Sequence, residues 1–155
     1  MLNECHLENF LRDKNIEFEL IKFEENVMTS ERAAKKISGI VLKSILLICD
    51  GEPLLCILLG KDKINFEKIK REINCENVRL AKAREVKEIS GYDIGAVPPI
   101  AHISKIRTIV DSKVSMLGDD EIVYCGGGSH YHLLKMKKGD LMKVLQNVEI
   151  KNISQ

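Results

Sequence analysis

Lys43 stands in Gly39-Ile-Val-Leu-Lys-Ser-Ile-Leu-Leu47, immediately before an apolar strand. An ammonium at the mouth of a buried strand either reaches water along its own aliphatic stem or meets an anion or a carbonyl. Two glycine-bearing stretches could serve the same chemistry. In Gly95-Ala-Val-Pro98-Pro99 the glycine permits close approach of a ligand to main-chain N–H groups and the prolines hold the loop open. The same residues could equally be a rigid connection between a helix and a strand. Gly126-Gly127-Gly128 is open to two readings as well: a bulge or flexible turn, or a place where substrate lies directly on main chain. It has neither the spacing nor the strand–turn–helix setting of a Walker loop or a dinucleotide fingerprint. Ser129 and His130 follow directly. An imidazole there could act as an acid or base or hydrogen-bond a substrate amine or hydroxyl, or it could be an ordinary turn histidine.

Other reactive side chains carry less. Ser44 adjoins Lys43, and neighbours in a regular strand point to opposite faces, so the two are not expected to serve one site. Cys125 has no nucleophile signature around it and reads as a buried, inert thiol. Asp111 ends a strand and is expected to cap the turn that follows. The four histidines (His6, His102, His130, His132) lack ligand spacing with the cysteines, so no metal site is expected, and no cofactor motif is present.

The elements that must position these residues follow from local pattern. Leu2, Leu7, Phe10 and Leu11 recur at helical spacing and predict an amphipathic helix over about 3–15, followed by a short strand at Phe18 and Leu20. Thr29 caps a second helix that Gly39 is expected to end. Residues 45–49 and 54–59 are unalternating apolar runs around Asp50-Gly51, which predicts a buried hairpin at the centre of a sheet. A helix capped by Asn65, a strand at Val78–Leu80 and a helix from Ala83 to Ser90 stopped by Gly91 come next. Strands at 107–111 and 121–125, a restart at His132–Met136 and a closing helix from Gly139 to Asn147 complete the chain. Strands and helices do not alternate strictly, so the class is α+β with a mixed sheet.

A chain of 155 residues is one domain by length, 1–155, and long enough to bury a core. Aromatics make up 5% and Trp is absent, which argues against a base-stacking platform. The net charge of +1 is unevenly spread. Residues 1–31 hold three basic and eight acidic side chains, and the remainder 21 basic and 15 acidic, a balance that could meet a few phosphates or merely solvate helix faces. Five cysteines without a C-x-x-C pair, and no signal-peptide pattern, predict reduced thiols in a cytoplasmic protein. No apolar run reaches the ~18 residues of a membrane span, so no membrane partner is expected.

The succession Thr29…Ala33-Ala34, Lys43-Ser44 before a strand, Asp50-Gly51, Gly91-Tyr92, Gly95-Ala-Val-Pro98-Pro99, Val110-Asp111 and Gly126-Gly-Gly128 resembles the YbaK/prolyl-tRNA-synthetase-associated domain, over about residues 24–147. The resemblance implies an α+β fold with a twisted mixed, partly closed sheet flanked by helices. It implies an aminoacyl-tRNA deacylase that works in trans-editing, removing alanine or cysteine wrongly attached to tRNA(Pro) or another tRNA. It implies as partners the tRNA acceptor end with its amino acid and an aminoacyl-tRNA synthetase. The family's lysine carries over to Lys43, its glycine–proline loop to Gly95, Pro98 and Pro99, and its glycine segment to Gly126, Gly127 and Gly128, with Ser129 and His130 beside the amino-acid pocket. Members often follow the loop with Phe-Gly, where this chain has Ile100-Ala101. A non-catalytic tRNA- or synthetase-binding module of the same fold is the alternative.

Overall fold

A computed structural model describes all residues, 1–155. The chain opens with α1 (Glu4–Arg12), whose Asn3 cap accepts the Cys5 N–H, and β1 (Phe18–Lys22). α2 (Ser30–Lys36) is capped by the Thr29 hydroxyl, which accepts the Arg32 N–H at 3.1 Å. This helix stops at Lys36 and leaves through an extended Ile37, so Gly39 does not end it. Gly39 is required for another reason: a Cβ there would stand 2.8 Å from the Tyr124 ring.

The hairpin of β2 (Ile40–Cys49) and β3 (Glu52–Leu59) forms the centre of the sheet, as the apolar runs predict. Asp50 and Gly51 both take positive φ, 49° and 83°, the requirement of the two-residue turn that matches strand twist. Its side chain also clamps the chain beyond α3 (Phe66–Ile73): the Asp50 carboxylate accepts the N–H groups of Glu76 and Asn77. β2 begins earlier than its apolar run, so Lys43 and Ser44 lie inside the strand rather than before it. Leu47, Leu54, Leu55, Ile57 and Leu58 are fully buried or nearly so, each contributing roughly 1.5–3 kcal/mol of transfer free energy.

β4 (Val78–Leu80) pairs with β2, and α4 (Ala83–Ser90) ends at Gly91, whose φ of 90° is the left-handed stop expected of it. β5 (Arg107–Asp111) runs directly into a single turn, α5 (Ser112–Ser115). β6 (Ile122–Gly126), β7 (His132–Lys137), α6 (Lys138–Leu145) and β8 (Glu149–Lys151) follow. The sheet order is β1-β7-β6-β2-β3-β5-β8, with β4 beside β2. Pairings β2–β6, β3–β5 and β5–β8 are parallel and the others antiparallel, which makes the fold α+β with a mixed sheet. It is open rather than partly closed, because β1 and β8 are edges.

Asp111 departs from its expected role. It makes no capping bond to α5 and is fully buried, where its carboxylate accepts the Ile153 N–H at 2.9 Å and the Ser154 hydroxyl at 3.0 Å. That reach pins the C-terminal segment alongside β5, in register with β8. No helix is long and apolar enough to cross a membrane.

Candidate functional site

β2 divides its loyalties. Along one edge it pairs continuously with β3, from Leu42 to Cys49. On the other edge it pairs with β6 only at Ile40 and Val41, and with β4 only from Leu47 to Cys49. Between them, from Leu42 to Leu46, that edge has no partner strand. The phase of the hairpin fixes what the gap contains. Gly60 donates to the Val41 carbonyl at 2.8 Å, so the odd-numbered residues of β2 exchange main-chain bonds with β3 and the even-numbered ones face the opposite edge. Leu46 there accepts from Ala81 N–H at 2.9 Å, and Ser44 turns its N–H and C=O into the gap.

A cavity of about 330 Å³ occupies this fork. Ala33, Val41, Leu42, Leu46, Val86, Val97 and Leu133 give it apolar walls, and Thr29, Ser30 and Ser44 add hydroxyl-bearing residues. Lys43 is its single charged residue. Burial lowers the Lys43 pKa from its ordinary value, Asp62 and Glu31 partly offset this through space, and Lys63 adds to it. Asp62 is itself bound by Lys113 at 3.3 Å, and Lys43 is left without a salt bridge. A half-buried ammonium with no carboxylate on it is available to an anionic or developing-negative oxygen of a ligand.

The segment from Gly95 to Ala101 is held from three directions. Gly128 N–H donates to the Ala96 carbonyl at 2.9 Å. His102 Nε2–H donates to the Pro98 carbonyl at 2.7 Å, from a ring whose pKa burial lowers, although that carbonyl opposes the shift. Tyr92 lies edge-on to His102 and donates its hydroxyl to the Ala101 carbonyl at 2.7 Å. Gly95 has φ 85°, and a Cβ there would crowd Met28 at 3.1 Å.

Of the residues singled out from sequence, Lys43, Gly95 and Gly126 meet at the cavity. Pro98 and Pro99 are buried behind the loop, and Pro99 faces a different cleft on the far side. Gly127 and Gly128 are buried against the chain itself: added methyls would run into the main chain of His132 and of Asn3–Glu4. The Ser129 hydroxyl accepts the Tyr131 N–H and bonds the His132 ring. His130 lies outside the cavity and uses Nε2–H to hold the Ile94 carbonyl at 3.0 Å, while its own carbonyl accepts the Val27 N–H. Together these bonds tie the wall at Val27–Ser30 to the loop at Ile94–Val97.

Ser44 is the residue that sequence reasoning set aside and the structure brings in. Alternation separates neighbours on the faces of a strand, but this cavity opens on the strand's edge, where Lys43 and Ser44 both line it. Met28, Leu80 and Val86 line it too, and no local pattern singles them out. Cys125 also lines the wall, with its thiol pushed up to about 12 by burial, which keeps it protonated and inert.

Comparison with known proteins bears on this geometry. The family model described as "Aminoacyl-tRNA editing domain" matches residues 24–144. A proline–tRNA ligase of Citrifermentans bemidjiense is 26% identical over 113 residues, 73% of this chain and 19% of the ligase. One of Streptococcus equi subsp. equi is 33% identical over 79 residues, 51% of this chain and 13% of the ligase. The chain thus spans about a fifth or less of the length of these ligases. Among solved structures, a proposed trans-editing enzyme for prolyl tRNA synthetase superposes with a TM-score of 0.84 at 21% identity, covering 98% of this chain and 96% of the other. A hypothetical protein superposes with a TM-score of 0.83 at 24% identity, covering 97% and 99%. At these identities the superpositions speak to the fold. The family match, spanning β2, the fork and both glycine stretches, speaks to lineage: this chain belongs to the aminoacyl-tRNA editing domain family.

Proposed function

We propose that this domain hydrolyses the ester joining a wrongly attached amino acid to the 3′ end of a tRNA. The observation that carries the proposal is the meeting of Lys43 with Gly95 and Gly126 at one small, largely apolar cavity. Attack on an aminoacyl ester places negative charge on the carbonyl oxygen. A donor aimed at that oxygen in a water-poor site typically lowers the barrier by ~3–4 kcal/mol. The Lys43 ammonium is the charged donor, and the Ser44 N–H on the fork's open edge is the main-chain donor beside it. The Gly95 loop bounds the space for the amino-acid end.

No protein nucleophile fits. Cys125 is held protonated, and His130 is engaged with Ile94 outside the cavity. The Thr29, Ser30 and Ser44 hydroxyls have no histidine or carboxylate in the lining to activate them. Of these, Thr29 accepts the Arg32 N–H and Ser30 donates to the Gly60 carbonyl. A positioned water or a group of the substrate is therefore the attacking species. The walls carry no acidic or basic group other than Lys43, which suits a small uncharged side chain such as alanine or cysteine. Likeness to segments of proline–tRNA ligases supports tRNA(Pro) as carrier and a synthetase as the enzyme whose errors are cleared in trans.

The test is a panel of mischarged tRNAs with labelled amino acids, including Ala-tRNA(Pro) and Cys-tRNA(Pro), with wild type beside Lys43→Ala. Selective release that Lys43→Ala lowers at least a hundredfold, with the melting transition retained, is the expected result. Binding without release identifies a non-catalytic module of the same fold. Wild-type rates in Lys43→Ala remove the lysine from the mechanism.

A further inference from the structure

At the turn end of β2, well away from the cavity, two cysteines are brought together by structure that the editing reaction does not use. β2 ends at Cys49, which pairs with Val78 of β4. Asp50 N–H donates to the Asn77 carbonyl at 2.8 Å, and its carboxylate accepts Glu76 and Asn77 N–H at 3.1 and 2.8 Å. Three hydrogen bonds thus fasten the residue after Cys49 to the two residues after Cys75. α3 ends through Asn74 at φ 55°, and Cys75 N–H returns to the Lys70 carbonyl at 3.1 Å, turning Cys75 toward the same core cluster. Both side chains pack in that one cluster, and burial chiefly, then the neighbouring Cys75 thiol, pushes the Cys49 pKa up to about 12. Cys49 is buried and Cys75 half-exposed. The Arg107 guanidinium, anchored by Glu149 at 2.7 Å, acts through space on the Cys49 thiol and opposes the rise in its pKa.

We propose that Cys49 and Cys75 are a dithiol modification site, which a low-molecular-weight disulfide such as oxidised glutathione converts to an intramolecular disulfide. The half-exposed Cys75, as the thiolate left when its proton goes to solvent, attacks one sulfur of the small disulfide. The oxidant's S–S bond breaks and one glutathione thiolate leaves and takes up a proton. The small fraction of Cys49 that has lost its proton to solvent then attacks the Cys75 sulfur, its raised pKa offset by the closeness of its target. The second glutathione leaves as a thiolate and takes up a proton. Two protein thiols are oxidised by two electrons and one small disulfide is reduced to two thiols. Packing of both side chains in one cluster makes the second step intramolecular, which favours it over persistence of the mixed disulfide. Of the other cysteines, Cys125 lies in a different core cluster and Cys5 on α1. Cys56 shares the cluster but is neither exposed to the oxidant, as Cys75 is, nor next to the hydrogen-bonded turn that fastens Cys49 to Cys75. The new bond would join the β2–β3 turn to the connection leading into β4.

The experiment uses the full chain carrying Cys5→Ser, so that the exposed α1 thiol does not react, incubated with oxidised glutathione and read by intact mass and peptide mapping. The expected result is loss of two hydrogens, a Cys49–Cys75 linked peptide, and a Tm rise of about 5–10 °C that reductant reverses. Adding Cys49→Ser should leave one stable glutathione on Cys75, and adding Cys75→Ser should leave the folded protein unmodified. A lasting mixed disulfide on Cys75 when Cys49 is present, or no reaction while the urea-denatured chain reacts fully, overturns the proposal.

Discussion

Replacing Gly126 by alanine tests whether the glycine–proline loop is set by main-chain packing. A methyl at Gly126 would stand 2.8 Å from the Val97 carbonyl carbon and nearer still to its oxygen. Carbon atoms pack at about 3.5–4.0 Å, so Val97 must retreat by roughly 1 Å. It cannot do so by rotating a side chain, because the obstacle is backbone, followed by two prolines and the Pro98 carbonyl held by His102. Overpacking of this kind costs about 1–3 kcal/mol, which lowers Tm by several degrees in a domain of this size. A ~1 Å displacement of a positioning loop costs on the order of a hundredfold in rate. Gly118→Ala is the control, since its methyl meets only Glu121 Cγ at 3.6 Å, an ordinary contact. The assay pairs thermal melts with single-turnover release from a mischarged tRNA that wild type deacylates. Gly126→Ala matching Gly118→Ala in both Tm and rate would refute the reasoning.

Three further substitutions have defined outcomes. Burial lowers the Lys43 pKa, so the folded chain holds that proton less tightly than the unfolded one, and the penalty persists until pH rises through the depressed folded value toward 10.5. Lys43→Met should therefore raise Tm slightly at pH 7 while deacylation is lost, and melts repeated at pH 10 should show the gain shrinking. The Asp50 carboxyl is held below its ordinary 3.8, first by the Asn77 and Glu76 N–H groups, so its contribution is present above that value and fades as pH falls below it. Asp50→Ala should lower Tm at pH 7, with the gap to wild type narrowing in melts at progressively lower acidic pH. Tyr92→Phe removes the donor to the buried Ala101 carbonyl and should cost about 1–3 kcal/mol by urea unfolding.

Much of the fold is legible because its punctuation is local. Thr29, Asn65 and Gly91 cap or stop helices by chemistry confined to one turn, and Asp50-Gly51 sets the hairpin by its own dihedrals. β8 and α5 are not legible, because a buried carboxylate at Asp111 recruits residues 153 and 154 from far along the chain. The glycines show the same limit at the site. Gly126 and Gly128 are equally plain in sequence, but one borders the cavity and the other is consumed by contact with the start of α1. Sequence shows that a glycine is present and not which neighbour demands it. The alternation rule misplaces Ser44 for a related reason: it describes faces, and the edge of β2 is left open only because β6 and β4 engage its two ends.

That open edge has a signature in amide exchange. Lys43 and Ile45 give their N–H groups to β3, whereas the Ser44 N–H points into the fork, so protection along this stretch should alternate residue by residue within one continuous strand. The span of the window is set by where the three residues of β4 take up their register on β2. Sliding β4 by two residues toward Lys43 would shutter it, and sliding it the other way would lengthen it. Specificity for a larger or smaller guest could thus be retuned from a short strand that contributes only the side chain of Leu80 to the cavity lining.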